Sequence, residues 1–181
     1  TANVTEQYAQ VAVVGPKARA LLEKLGGMDV SQDRLPFMQW ADGTLGGFPV
    51  RVYRISFSGE LSYEIALPSS YGLTFWEACI AAGAEFGVMP YGTEALHIMR
   101  AEKGFIMIGD ETDGTVIPQD LNMAWAISKK KTDYLGKRGQ ERSFLADPER
   151  WTLVGLETLD GSVIPDGAYV VAEGVNPNGQ R

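Results

Sequence analysis

One glutamate stands out among the residues whose type and position could do chemistry. Glu64 lies in the alternating segment 61–67, where it shares one face with Ser62 and Ala66. A carboxylate on such a face can accept two adjacent N–H donors at once in a charge-assisted, bidentate contact. The strand pattern alone favours a glutamate that faces solvent, and binding of a ligand with paired donors is the alternative.

Several other kinds of chemistry are excluded by residue counts. Cys79 is the only cysteine and His97 the only histidine among the 181 residues. An internal disulfide, a cysteine-rich metal site and a His-His zinc motif are therefore excluded, and a Ser-His-Asp triad would depend on one histidine without a nucleophile motif. We predict no metal site, and we expect Cys79 to be a buried, inert thiol.

The composition predicts a globular protein that binds neither nucleic acid nor a membrane. The sequence is 45% hydrophobic and 22% charged, with a formal net charge of −7, whereas nucleic-acid binding draws on clustered Lys and Arg. No apolar run approaches the roughly 20 residues that span a bilayer. A single cysteine fits a reducing cytoplasm, so we expect a soluble, cytoplasmic protein. The chain begins at Thr1 without an initiator methionine, and we interpret it as a fragment.

Apolar periodicity and turn residues predict a mixed architecture. The predicted strands span residues 10–14, 35–40, 48–56, 61–67 and 86–89, and the predicted helices span 17–25, 69–84 and 93–103. Gly26-Gly27 ends the first helix, Asp42-Gly43 forms a turn, and residues 58–60 close a tight hairpin. The order, read as β-α-β-β-α-β with an extra helix, predicts an α+β fold of the ferredoxin-like split β-α-β type.

The C-terminal part of the sequence predicts a second, incomplete domain. Residues 151–158 and 168–172 are typical of strands placed around an Asp160-Gly161 turn. Two or three strands are too few for a sandwich or barrel. We therefore predict a first domain over 1–145 and the start of a truncated β-barrel-like domain over 146–181.

Three segments carry a resemblance to a known family. Residues 54–65 read RISFSGELSYEI, residues 86–87 are Phe-Gly, and residues 91–104 read YGTEALHIMRAEKG. At these spacings they resemble the folate-binding region of the aminomethyltransferases, the T-proteins of glycine cleavage. Residues 100–120, RAEKGFIMIGDETDGTVIPQD, are similar to heterotetrameric sarcosine oxidase alpha subunits in particular. The resemblance covers nearly the whole chain.

The resemblance implies tetrahydrofolate as the bound cofactor. It puts Glu64 at the family's pterin-binding glutamate, and Phe57 where many members have a tyrosine that lines the pterin. Core packing of Phe57 is an equal alternative. Arg100 matches an arginine of the family's helix, with an internal ion pair to Glu102 or to a neighbouring strand as the alternative. Tyr91 is a candidate for the pocket floor, with ordinary packing as its alternative.

The resemblance also implies an activity and an assembly. The activity is oxidative demethylation of sarcosine to glycine, with transfer of the one-carbon unit to tetrahydrofolate to give 5,10-methylenetetrahydrofolate. The implied partners are the sarcosine oxidase beta subunit and the smaller subunits, and NAD and flavins are implied for the complete complex. The family's catalytic aspartate has no counterpart in this chain, so we assign no catalytic residue and expect the chain alone to be inactive.

One substitution keeps other functions open. Leu96 stands where aminomethyltransferases usually have an arginine that faces the folate. The alternatives are a glycine-cleavage aminomethyltransferase, a folate domain of the dimethylglycine dehydrogenase type, and a non-catalytic interaction module on the same fold.

Overall fold

The computed structural model describes residues 1–165 and 167–174. One sheet of four antiparallel strands has the order β1-β4-β3-β2. Its strands are β1 (Tyr8–Val14), β2 (Trp40–Leu45), β3 (Phe48–Tyr53) and β4 (Ser62–Pro68). The helices are α1 (Ala18–Leu25), α2 (Gly72–Gly83), α3 (Thr93–Lys103) and the short α4 (Lys137–Gln140). Single turns of 3-10 helix lie at Thr5–Gln7, Ser69–Tyr71, Ala84–Phe86, Pro118–Leu121 and Ala124–Ala126.

The hairpin of β2 and β3 corrects two predictions. Its turn is Gly46-Gly47, where both residues have positive φ (58° and 86°) and Leu45 faces Phe48. A two-residue turn of this kind matches the twist of the flanking strands, and glycine adopts it without a Cβ penalty. The predicted Asp42-Gly43 turn is wrong, because both residues lie inside β2. The predicted strand at 35–40 is also wrong, since β2 begins only at Trp40.

The connection between β3 and β4 is longer than the predicted tight hairpin, because it spans residues 54–61. Ser56 Oγ accepts a hydrogen bond from the Gly59 amide at 2.9 Å, and Ser58 Oγ accepts one from the Glu60 amide at 3.3 Å. Gly59 has a φ of 86°, a left-handed conformation that glycine adopts without a Cβ penalty. The side-chain oxygens of two serines thus fix the loop that precedes Glu64.

The predicted split β-α-β arrangement is not found among the described residues. That arrangement needs a strand after the second helix, and the segment 86–89 is not a strand. Gly87 takes a left-handed conformation and the Val88 amide donates to the Gly83 carbonyl at 3.1 Å, so the chain turns back onto the end of α2. The fold keeps its mixed α and β content, but the sheet is a β2-β3-β4 meander with β1 added beside β4.

The core lies between one face of the sheet and the helices α1 and α2. Inward positions of all four strands pack against apolar residues of α1, α2 and the segment that joins α1 to β2. Burial of such side chains is the main favourable contribution to folding. The fully buried members with the largest side chains are Tyr63, Phe75, Leu22, Leu35, Leu45, Ile65, Leu67, Val30 and Val52.

The chain divides into two compact units, Thr1–Asp110 and Glu111–Arg181. In the second unit, Arg150 makes paired hydrogen bonds with Asp120, from Nε to Oδ1 at 2.9 Å and from Nη2 to Oδ2 at 2.5 Å.

The predicted strands at 151–158 and 168–172 are wrong, because the described residues there are not paired into a β-sheet. The predicted turn at 160–161 is present, with a Gly161 φ of 70°. The domain division at residue 145 stays a prediction.

The described part of the chain contains no helix that is both long and apolar enough to cross a membrane.

Candidate functional site

The sheet face opposite the core presents two rows of side chains across all four strands. Strand register sets one row as Ala12, Glu64, Tyr53 and Trp40, and the next row as Gln10, Ala66, Arg51 and Asp42. Successive residues of a strand point to opposite faces, so Tyr63 and Ile65 enter the core while Glu64 faces outward. The predicted sharing of one face by Glu64, Ser62 and Ala66 agrees with this register.

Glu64 is half-buried in the floor of a groove on this outer face. The groove has a cavity volume of about 830 Å³. Nε2 of Gln10 donates a hydrogen bond to Oε2 of Glu64. The neighbours Ala12 and Ala66 carry only methyl groups, which leaves space beside the carboxylate. Glu64 therefore has two acceptor oxygens beside a cavity. A ligand with paired N–H donors would need both features.

Tyr91 lies close to the same carboxylate. It lines a second cavity of about 490 Å³, formed by β1, α2 and the segment that leads into α3. Burial raises the pKa of Tyr91, and the negative charge of Glu64 raises the pKa further. Gln10 lines both cavities. Glu64 and Tyr91, two of the predicted site residues, thus line two cavities that share Gln10.

On the side of the groove toward β2, Arg51 of β3 forms an ion pair with Asp42 of β2. Arg51 makes two hydrogen bonds to Asp42, from Nε to Oδ1 at 2.7 Å and from Nη2 to Oδ2 at 2.9 Å. Its guanidinium also lies 4.4 Å from the centre of the Trp40 ring. The bond from Arg51 lowers the pKa of Asp42. Arg51 is therefore paired with Asp42 on the outer face.

Arg100 and Phe57 lie elsewhere in the first unit. Arg100 is buried in α3, and its Nη2 donates to Oδ2 of Asp110 at 2.7 Å while its Nη1 donates to the Phe105 carbonyl at 3.3 Å. An internal ion pair agrees with the alternative foreseen for Arg100, although the partner is Asp110 rather than Glu102. Phe57 is half-buried in the 54–61 loop. Neither residue lines the two cavities described above, and their folate roles stay predictions.

Gln10 and Tyr53 are two groove residues beside Glu64 that the sequence reasoning missed. Tyr53 faces Glu64 directly in the β3–β4 register, and Gln10 reaches it diagonally from β1. Alternation within each strand could have assigned both to the outward face. Their pairing with Glu64 could not be foreseen, because it depends on which strands are neighbours and on the register between them.

The described residues contain no cluster of three or more His, Cys, Asp or Glu side chains that could hold a metal ion. Cys79 is buried in α2, and burial raises the pKa of Cys79 to about 11. The predicted buried thiol is confirmed. Since the thiolate is the reactive form, this cysteine is a packing residue at neutral pH.

Curated proteins of three enzyme types resemble the chain: sarcosine oxidase alpha subunits, aminomethyltransferases and the mitochondrial dimethylglycine dehydrogenase of Mus musculus, to which it is 31% identical over 166 residues. It is 51% identical over 175 residues to the sarcosine oxidase subunit alpha of Corynebacterium sp. (strain P-1), a match that covers 95% of the chain and 18% of that protein. It is 40% identical to the sarcosine oxidase subunit alpha of Rhizobium meliloti (strain 1021), with 96% and 18% covered. It is 30% identical to the aminomethyltransferase of Halothermothrix orenii, with 94% and 47% covered.

The chain thus spans 18% of the length of the sarcosine oxidase alpha subunits that it matches. The family model described as the GCVT N-terminal domain matches residues 1–131, which include the sheet, the groove and the helices α1, α2 and α3. The resemblance predicted from the three sequence segments is confirmed, and the chain belongs to the GCVT N-terminal domain family.

Proposed function

We propose that the chain supplies the tetrahydrofolate-binding site of a sarcosine oxidase alpha subunit. In that role it supports oxidative demethylation of sarcosine to glycine. The observation that carries the proposal is the half-buried carboxylate of Glu64 in an open groove, in a chain that is 51% identical to a protein of that name. Reduced folate accepts the one-carbon unit in this reaction and becomes 5,10-methylenetetrahydrofolate.

The donor pattern of the ligand matches the acceptor pattern of Glu64. A pterin presents an amino group and a ring N–H side by side, and one carboxylate can accept both in a charge-assisted contact. Glu64 orients the ring through these two bonds. Tyr91 lines the cavity that shares Gln10 with the groove of Glu64, and its aromatic ring supplies apolar surface beside the site. We assign no proton transfer to any residue of the chain.

Titration with tetrahydrofolate tests the role of Glu64. The protein in its natural full-length form should bind, and Glu64→Ala should lower affinity about 10- to 150-fold, the range for a lost hydrogen bond to a charged group. Glu77→Ala is the matched control, because Glu77 is an exposed glutamate on α2 outside both cavity linings. The control should bind like the unchanged protein.

Equal affinity of the Glu64→Ala and Glu77→Ala proteins would remove Glu64 from the site. Failure of the unchanged protein to bind any reduced folate would favour the non-catalytic interaction module instead. Circular dichroism of each variant separates loss of binding from loss of fold.

We further propose that the beta subunit and smaller subunits of sarcosine oxidase are the partners, in the cytoplasm, and that NAD and flavins bind elsewhere in that assembly. The names of the alpha-subunit relatives support partner subunits. Co-purification tests this part: a tagged natural form of the protein should retain a flavin-containing subunit. Recovery as a free folate-binding protein that transfers aminomethyl groups would favour the aminomethyltransferase alternative, which the 30% identity supports less strongly.

A further inference from the structure

We propose that Gln10 is a positioning residue for Glu64, engaging one lone pair of Oε2 and so orienting the carboxylate, while Oε1 and the second lone pair of Oε2 stay available to the folate. This inference rests on the proposed function. It begins from the hydrogen bond that Gln10 Nε2 donates to Glu64 Oε2 across two strands. Gln10 lies outside the motif of residues 54–65, and no ligand role was predicted for it.

Strand register explains why Gln10 can reach Glu64. Gln10 faces Ala66 and Ala12 faces Glu64, so Gln10 is the diagonal neighbour of Glu64 on the outer face. Diagonal partners on adjacent strands are about 7 to 8 Å apart at the backbone, within reach of long side chains. The two alanines leave the path between amide and carboxylate clear. Gln10 is exposed, so its side chain adds little to the core.

The chemistry of the donor suits a positioning role. An amide donates to a single oxygen and carries no net charge, so Oε1 and one lone pair of Oε2 remain for the two donors of the ligand. A guanidinium in the same place could engage both oxygens. Arg51 is the other diagonal neighbour of Glu64 by register, but it is bonded to Asp42. Gln10 therefore fixes the carboxylate without competing with the ligand for both oxygens.

A double-mutant cycle measured by tetrahydrofolate titration of the natural full-length protein tests the inference. Gln10→Met keeps the length of the side chain and removes the amide donor, and should weaken binding about 3- to 10-fold. In a Glu64→Ala background the same change should alter affinity by less than about twofold, because the acceptor is gone. Gln7→Ala is the matched control, since Gln7 is an exposed glutamine outside both cavity linings.

Each result decides something. An equal loss from Gln10→Met in both backgrounds would overturn the inference, because a purely structural effect is independent of Glu64. Unchanged affinity of Gln10→Met, with the Glu64→Ala loss still present, would overturn the inference and leave the proposed function standing. Absence of binding by the unchanged protein would overturn both. If the Met variant does not fold, Gln10→Ala replaces it in the same cycle.

Discussion

Small neighbouring side chains leave the carboxylate of Glu64 accessible. Ala12 and Ala66 stand beside it on the outer face, and neither blocks approach to the carboxylate. A glutamate between bulky neighbours on the same strand pair would have its oxygens shielded, whereas this one opens onto a groove of about 830 Å³. Access to the carboxylate therefore depends on the side chains around Glu64 as well as on the strand position of Glu64 itself.

The buried thiol of Cys79 gives a prediction at the residue scale. Burial raises its pKa to about 11, so the thiolate is scarce at pH 8 while the protein is folded. A thiol reagent such as iodoacetamide should label the native protein far more slowly than the protein in urea, as followed by mass spectrometry. Because the native pKa is raised, the thiol form adds stability that is lost as pH rises from about 9 toward 11. Labelling at equal rates in both states would contradict the burial of Cys79.

Residue roles were foreseeable only in part. The alternation in 61–67 assigns Glu64 to the face away from Tyr63 and Ile65, and this face is the observed one. The partner of Arg100 was not foreseeable, because Asp110 reaches it through the irregular chain after α3. Irregular segments lack a repeating geometry from which side-chain neighbours can be derived.

Among the elements, the 54–61 loop and the end of α3 are in close contact. A Cβ on Gly59 would overlap the Cβ, Cγ and Cδ atoms of Lys103. Glycine at this position thus serves two needs, a left-handed φ of 86° and the near approach of a helix. The loop immediately before the strand of Glu64 is held by this contact.

Gly59→Ala should lower the free energy of unfolding by about 1 kcal/mol or more, because alanine is strained at positive φ and its methyl group displaces Lys103. Chemical denaturation measures the change. Gly114→Ala is the matched control, since Gly114 does not have positive φ and a Cβ there meets no atom within 4 Å. Equal stability of the two variants would show that the loop can move away from α3 without cost.

Elements with clear end signals were predicted accurately. Helix α3 spans Thr93–Lys103 as predicted, with Gly104 in a left-handed conformation after its last residue. The β2–β3 turn was misplaced because Asp-Gly and Gly-Gly are both strong turn signals a few residues apart. At 86–89 the apolar residues suggested a strand, but Gly87 turns the chain and Val88 packs against the core. Tertiary packing decided that segment.

At the scale of the whole molecule, the two units differ in the interactions that stabilise each of them. The buried hydrophobic residues of the described chain all belong to Thr1–Asp110. Among the described residues of Glu111–Arg181, Asp120 is the buried one. Its carboxylate accepts hydrogen bonds from Arg150 Nε at 2.9 Å and from the Ile117 amide at 3.0 Å. Polar contacts of this kind depend on ionisation, so the second unit should respond more strongly to acid.

Asp120→Asn should lower the melting temperature of the second unit by several degrees at pH 7. The hydrogen bonds from Arg150 hold the pKa of Asp120 below its ordinary value. The charged form therefore adds stability above about pH 4, and this stability is lost as pH falls through the native pKa. Thermal unfolding of both proteins from pH 7 to pH 3 measures the effect. The difference between them should shrink below about pH 4, with Asp133→Asn as an exposed control. A difference that stays constant with pH would contradict the role of the charge.

The paired rows on the outer face have a consequence for variation in this chain. Because side chains alternate, a slip of β4 by one residue would exchange Tyr63 and Glu64 between the interior and the groove. Insertion of a single residue at the start of β4 would thus bury the carboxylate of Glu64 and expose the ring of Tyr63 at the same time. Length changes in this chain should be tolerated in the 54–61 loop far better than within Ser62–Pro68, where the strand register decides which side chains enter the core and which face the groove.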